Sequence, residues 1–310
     1  MAQILGNIYK KAKGAAGSVK LFINGIKQNN YKKCELFEDM YSFQPLSPIP
    51  NNFSNGDAVV YNNEIHLTGG NGNSRHQKWD GNSWTDASTL PYGFDRGSVV
   101  VYKNEIHILG NYSTGSGSKQ HYKWDGNSWT SASTLPYNYY GGRAVVYNNE
   151  IHLLGGKDVE TRHYKWDGNS WTRVSTLPLD FRFGGAVVYN NEIHLLKYDG
   201  YRGKHYKWDG NSWTSASTLP YNFSNGDAIV YNNEIHLVGS TNSKSHYKWD
   251  GSSWTRVSTL PITYTEGFYD GGAVVYNNAI HILGGHYSPS LHYYIIKSSV
   301  SGEAYNAALT

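Results

Sequence analysis

RAVVYNNEIHLLGGKDVETRHYKWDGNSWTRVSTLP, residues 143–178, is the stretch that decides the fold. AVVY is a β-branched and aromatic run, and Asn148-Asn149 supplies two residues that tolerate positive φ, as a tight two-residue hairpin turn needs. In EIHLLGG, Ile151 and Leu153 point to one face and Glu150, His152 and Leu154 to the other, the period of two of a strand, before Gly155-Gly156 ends it. HYKW reads as a third strand, Asp167-Gly168 as a second hairpin turn, and SWTRVS as a fourth strand closed by Leu177-Pro178. Four antiparallel strands, a to d, follow from this one segment.

The segment is one copy among several. WDGNSWT begins at Trp79, Trp124, Trp166 and Trp208, with WDGSSWT at Trp249, so the spacings are 45, 42, 42 and 41 residues. The strand-b phrase recurs with the same beat around His66, His107, His152, His194, His236 and His281. Fixed self-similarity at this period signals a repeat array in which each unit buries its core against its neighbours. The array predicts one large domain over residues 37–297, a basic N-terminal extension over 1–36 and a tail over 298–310.

Composition agrees with an all-β chain: aromatic residues make up 15 % and charged residues only 16 %, with Gly, Asn, Ser and Thr punctuating short apolar runs. Cys34 is the single cysteine, which excludes an intramolecular disulfide and a cysteine metal cluster. The start MAQILGNIYKKAKGAAG lacks the apolar core of a secretory signal, and no stretch approaches the roughly 20 apolar residues of a membrane span. Synthesis in the cytoplasm without membrane insertion is therefore expected. Net charge is +3, but seven lysines from Lys10 to Lys33 precede the first acid, Glu35, which leaves 20 basic against 24 acidic residues beyond them. A mildly acidic repeat region gives no support to nucleic-acid binding by the repeats.

A four-stranded unit with a glycine pair after its second strand and aromatic residues across its last hairpin resembles the kelch repeat, and the array is similar to a kelch β-propeller. The period also suits WD40 repeats, but the Trp-Asp pair here sits at the c–d hairpin with a second tryptophan behind it. The resemblance implies four-stranded blades with strand a lining a central channel. The glycine pair stands at Gly69-Gly70, Gly155-Gly156 and Gly284-Gly285 but becomes Gly110-Asn111, Leu196-Lys197 and Gly239-Ser240, so those blades are expected to turn differently. Strands a and b occur six times and the full tryptophan phrase five times. LHYYIIK at 291–297 then serves as a sixth strand c, and SFQPLSPIP at 42–50, with Phe43 in the tryptophan slot, supplies its strand d. The expectation is a six-bladed kelch-like propeller closed by an N-terminal strand, which removes exposed sheet edges.

The repeats offer several chemistries. Six histidines in one slot of strand b, and His121, His163, His205 and His246 in HYKW, invite a metal site, but equivalent slots around a ring do not converge on one ion, so they are read as packing. WDGNSW is similar to the Asp-box of sialidases, with glycine directly after the aspartate and the tryptophan one residue early. Asp80, Asp125, Asp167, Asp209 and Asp250 are therefore read as caps of a structural hairpin. Some kelch-like propellers carry a copper radical site with a cysteine-crosslinked tyrosine, and Cys34 lies outside the repeats. No cofactor and no catalytic activity are expected. The second tryptophans, Trp84, Trp129, Trp171, Trp213 and Trp254, are expected to lie buried between blades.

Function is sought where the copies differ. The a–b and c–d turns are nearly identical, while the b–c and d–a loops vary and emerge at the same end of an up-and-down blade. The d–a loops read NNFSNGD, YGFDRGS, YNYYGGR, LDFRFGG, YNFSNGD and ITYTEGFYDGG, and the b–c loops add Arg75, Lys119, Lys157, Asp158, Arg162, Lys244 and Tyr287. Aromatic rings beside hydrogen-bonding groups suit sugar or protein surfaces. The candidate ligand-binding residues are Phe94, Asp95 and Arg96; Tyr139, Tyr140 and Arg143; Phe181 and Arg182; Tyr198, Asp199, Tyr201 and Arg202; and Phe268, Tyr269 and Asp270. A rigid head with a basic extension is similar in layout to receptor-binding or decoration proteins of tailed phages. That likeness implies a virion location, a cell-surface glycan or protein receptor as partner, and docking to a larger assembly through residues 1–36. The rival expectations are a carbohydrate-active enzyme with its site in the central pocket and an intracellular kelch adaptor.

Overall fold

A computed structural model describes residues 40–113, 116–157, 160–262 and 267–298. Six blades are built from four antiparallel strands each, and in the fifth the short strand Gly267–Phe268 pairs in addition with strand b. In the third, strands a to d are Arg143–Tyr147, Glu150–Leu154, Arg162–Trp166 and Trp171–Thr176. The strand-a elements of all six blades, from Asp57–Tyr61 in the first to Gly272–Tyr276 in the sixth, pack side by side in a closed circle. In the sixth sheet the order is Gly272–Tyr276, Ala279–Leu283, His292–Ser298 and Met40–Pro45, so the N-terminal strand completes the last blade as expected. The compact unit holding the blades is Phe43–Ile296. Among the described residues no helix is long and apolar enough to cross a membrane. The extension over 1–36, Cys34 and most of the tail lie outside the described residues.

Turn chemistry explains the uniform end. Asn148 and Asn149 take φ of 49° and 60°, the pair of left-handed residues that a twisted two-residue hairpin requires, and Tyr147 then faces Glu150 in register. The Asp167 carboxylate accepts the backbone N–H of Asn169 at 2.7 Å and of Ser170 at 2.8 Å, which caps the c–d hairpin and holds that carboxyl below its usual range. The tyrosine that ends strand a ties blades together. Tyr61 Oη donates to the carbonyl of Asn104 at 3.1 Å, and Tyr102 Oη to that of Asp167 at 3.0 Å.

Both faces of each sheet are buried because each blade is sandwiched between two others. Ile65, Leu67 and Trp79 of the first blade pack with Val274, Tyr276 and Leu283 of the sixth. The first tryptophan of each phrase is the buried one: Trp79, Trp124, Trp166, Trp208 and Trp249 are all core residues. The second tryptophan is only half-buried, contrary to expectation, since strand d is the outermost strand. Its indole still bridges blades: Trp213 Nε1 donates to Ser175 Oγ at 3.1 Å and Trp254 Nε1 to Ser217 Oγ at 3.0 Å. Phe43 is likewise half-buried, and Ile49 is the core anchor of that segment.

The two histidine rows form six pairs, one within each blade. His152 Nδ1 lies 2.8 Å from His163 Nε2, and His66–His76, His107–His121, His194–His205, His236–His246 and His281–His292 repeat the contact. In the second blade the partner of His121 Nδ1 is the carbonyl of Ser133, so His121 donates there and its Nε2 accepts from His107. Burial pushes His152 down to about 4 and His163 to about 3, so both rings are neutral at neutral pH.

Candidate binding site

At the variable end, the residue two positions before strand a is Asn55, Arg96, Gly141, Phe183, Asn225 and Asp270 in successive blades. All six take left-handed φ, between 53° and 69°. In that conformation each N–H donates to the carbonyl of the equivalent residue in the preceding blade, at 2.5 to 2.9 Å, and Asn55 donates to Asp270 to close the circle. Gly, Asn and Asp tolerate left-handed backbone, whereas a residue such as Arg or Phe meets a steric cost of about 1–2 kcal/mol. The ring therefore holds two residues, Arg96 and Phe183, that the backbone itself does not favour.

Inside this ring the channel is crossed by charge. The first residues of strand a are Asp57, Ser98, Arg143, Gly185, Asp227 and Gly272. Arg143 Nη2 stands 3.8 Å from Asp227 Oδ1, and its Nε donates to the Gly184 carbonyl at 3.1 Å. Asp57 accepts the Val99 N–H of the next blade at 2.8 Å, and Asp227 accepts that of Ala273 at 2.7 Å. Burial raises Asp57 to about 6 despite the opposing pull of Arg143. Arg143 is thus engaged within the channel by Asp227 and the Gly184 carbonyl.

Beside the ring lies a cavity of about 510 Å³ lined by Arg96, Tyr112, Tyr140, Lys157, Arg182, Phe183, Lys197 and Ser224. That size falls among small-ligand sites. Its wall carries a row of alternating character: the Arg96 guanidinium is 5.7 Å from the Tyr112 ring, the Tyr112 and Tyr140 rings are 4.9 Å apart, and Lys157 Nζ is 5.8 Å from the Tyr140 ring. Arg96 Nε also donates to Asn55 Oδ1 at 3.1 Å, which fixes its direction. Lys197 Nζ donates to the Asp180 carbonyl at 2.6 Å, and burial, followed by the nearby Arg182, lowers its pKa.

Lys197 reaches the cavity through a broken repeat. Five blades place a left-handed glycine three residues after the strand-b histidine, at Gly69, Gly110, Gly155, Gly239 and Gly284. The fourth blade has Lys197 and Tyr198 in the two glycine slots, one residue later than the Leu196-Lys197 alignment. Strand b therefore runs on as Glu192–Tyr198, pairing Lys197 with Lys204 and Tyr198 with Gly203.

The proposed ligand contacts separate into three groups. Arg96, Tyr140 and Arg182 line the cavity, and Asp270 joins Arg96 and Arg143 at the channel mouth. Phe94, Tyr139, Phe181 and Phe268 are packing residues and not ligand contacts: their side chains are buried and, unlike the buried Tyr140, none lines the cavity. With Phe53 and Phe223 they form one aromatic wedge per blade, seated between sheets, and the carbonyls of Phe94 and Phe181 accept from Gly70 and Gly156. The remainder lie outside the cavity. The Asp199 carboxylate caps its own turn by accepting the N–H groups of Tyr201 and Arg202 at 2.9 and 2.8 Å, and Tyr201 is 87 % exposed. The Asp95 N–H donates to Asn111 Oδ1 at 2.7 Å, and Tyr269 stacks on His286 at 5.1 Å. Tyr112, Lys157, Phe183, Lys197 and Ser224 also line the cavity and are not among the candidate ligand-binding residues read from the sequence.

No protein-family model matches the chain, and no curated protein matches it. In fold the chain is similar to the solved structure of YjhT, with a TM-score of 0.69 and 16 % identity over 83 % of this chain and 98 % of that one. At that identity the likeness concerns the propeller fold alone, which hosts diverse functions.

Proposed function

We propose that this protein is a non-catalytic recognition module, a kelch-like head that binds a glycan or a protein surface through its b–c and d–a loops. Its setting in this reading is a phage-like particle, which it serves as a receptor-binding or decoration component attached through residues 1–36. One observation carries the reading: blades that are near copies at one end surround, at the other, a cavity walled by residues that differ from blade to blade. The slot of Tyr140 is occupied by Ser54, Asp95, Arg182, Ser224 and Tyr269 in the other blades, and that of Lys157 by Asn71, Tyr112, Asp199, Thr241 and His286. Repetition makes a symmetric scaffold, and only such differences can read an asymmetric ligand. Half-buried and buried rings at the wall supply contact area at low entropy cost.

The test is attachment of the purified full chain to glycan arrays and intact cells. Tyr112→Ala with Arg182→Ala should abolish attachment, while Asn82→Ala with Asn211→Ala at the uniform end should leave it intact. Loss of attachment only in the uniform-end variant, or turnover of a sugar by the intact protein, overturns the proposal.

A further inference from the structure

Arg96, Lys157, Arg182 and Lys197 bring four cations from three blades to one cavity, and the described residues that line it include no carboxylate. This runs against the surroundings, since residues 35–310 hold 20 basic and 24 acidic side chains. Asp180, Glu160 and Asp199 act on Lys197 electrostatically but stand outside the cavity wall. Three of the positions also depart from what the fold prefers: Arg96 and Phe183 occupy left-handed backbone, and Lys197 replaces the repeat's glycine. Uneconomical residues gathered at one cavity mark a functional site, because strain persists where the surrounding structure imposes it.

We infer that this cavity binds a saccharide carrying a phosphate or sulfate group, an assignment that rests on the recognition reading above. A lone carboxylate has two coplanar oxygens, which suits a single guanidinium fork. Here the Nε edge of Arg96 is already engaged by Asn55, and the remaining cations approach from different blades. A tetrahedral oxyanion with three acceptor oxygens and up to about −2 charge matches that spread better. The rings of Tyr112, Tyr140 and Phe183 stand beside the cations and offer apolar faces to the carbon skeleton of a sugar. An extended polyanion such as nucleic acid fits less well, because the acids Asp95, Asp199 and Asp270 interrupt the loop face.

The experiment is calorimetric titration of the full-length chain with mannose 6-phosphate, N-acetylglucosamine 6-sulfate, mannose and inorganic phosphate, at low and at high salt. At least one of the two charged sugars should bind at least tenfold more tightly than mannose and than free phosphate, and added salt should weaken it. Arg182→Gln, at an exposed position that leaves folding intact, and Lys197→Met should each reduce that binding by tenfold or more with an unchanged melting temperature. Preference between the two charged sugars distinguishes phosphate from sulfate as the recognised group. Equal binding of mannose, binding of free phosphate as tight as of the sugar phosphate, or indifference of both variants overturns the inference. If glycan attachment is lost in the cavity variants while only neutral glycans bind, the recognition reading stands and the oxyanion assignment fails. If attachment ignores the cavity variants altogether, both fail.

Discussion

The backbone N–H of Asn55 donates to the carbonyl of Asp270 at 2.7 Å, and with that bond the first blade meets the last. It is the sixth member of a circle of equivalent bonds, and the cavity wall grows directly from that circle through Arg96 and Phe183. Scaffold and site therefore share residues, so a substitution at either position is read out in stability and in binding together.

Exchanging Arg96 or Phe183 for Asn, the residue that the first and fifth blades use in the same slot, should leave stability unchanged or raise it by up to about 1 kcal/mol, because the left-handed backbone is relieved. Ligand attachment should fall in both variants. Urea unfolding beside a binding assay checks the pair, and a loss of more than about 3 kcal/mol would make these residues core elements instead.

Ring closure gives a truncation test. Deleting residues 1–50 removes the outer strand of the sixth blade together with Ile49, at a cost of roughly 3–5 kcal/mol by analogy with large core truncations. Deleting residues 1–30 should leave the melting temperature within a few degrees. Unfolding of the shorter truncation would assign the extension a structural role in the propeller.

The two tryptophans of each phrase should behave differently. Trp166→Ala empties a buried site between blades and should cost about 3–5 kcal/mol, whereas the half-buried Trp171→Ala should cost roughly half as much. Equal losses in denaturant titrations would contradict the packing described.

Histidine burial predicts acid sensitivity. Burial holds His66, His107, His152, His194 and His281 at about 4, and His76, His121, His163, His205 and His292 at about 3. Below the ordinary histidine value of about 6.5 the unfolded chain binds these protons and the folded chain does not, so stability is complete above that pH and is lost as pH falls toward 4. Each such proton steepens the loss by up to about 1.4 kcal/mol per pH unit. Asp57, raised to about 6, and Asp95, Asp227 and Asp270, which burial also raises, act in the opposite direction but are fewer than the histidines. Urea midpoints at pH 7.5, 6 and 5 should fall in that order, and a flat or rising series would show that the histidine pairs accept protons in the fold.

Blade number, strand order and the closing role of residues 42–50 were legible because each rests on local signals repeated in order: Asn-Asn, Asp-Gly, the glycine pair and the closing proline. The site was legible only in part. Phe94, Tyr139, Phe181 and Phe268 resemble ligand contacts by their place in loops, yet an aromatic recurs at that slot in all six loops, and recurrence is the mark of packing. The useful signal was the opposite one: Arg96 and Phe183 where other blades carry Asn, Gly or Asp, and Lys197 where they carry Gly. The histidine pairing required the register between strands b and c, which brings the two rows together and which no single strand displays.

Recognition by the blade-specific end can be read directly from a crystal structure of the full chain with a glycan selected on an array. The ligand should lie in the cavity between Arg96 and Lys197, against Tyr112 and Tyr140 and beside the Arg143–Asp227 pair. A ligand seated on the Asn-Asn turns of the uniform end, or a reaction product lodged in the channel, would contradict it.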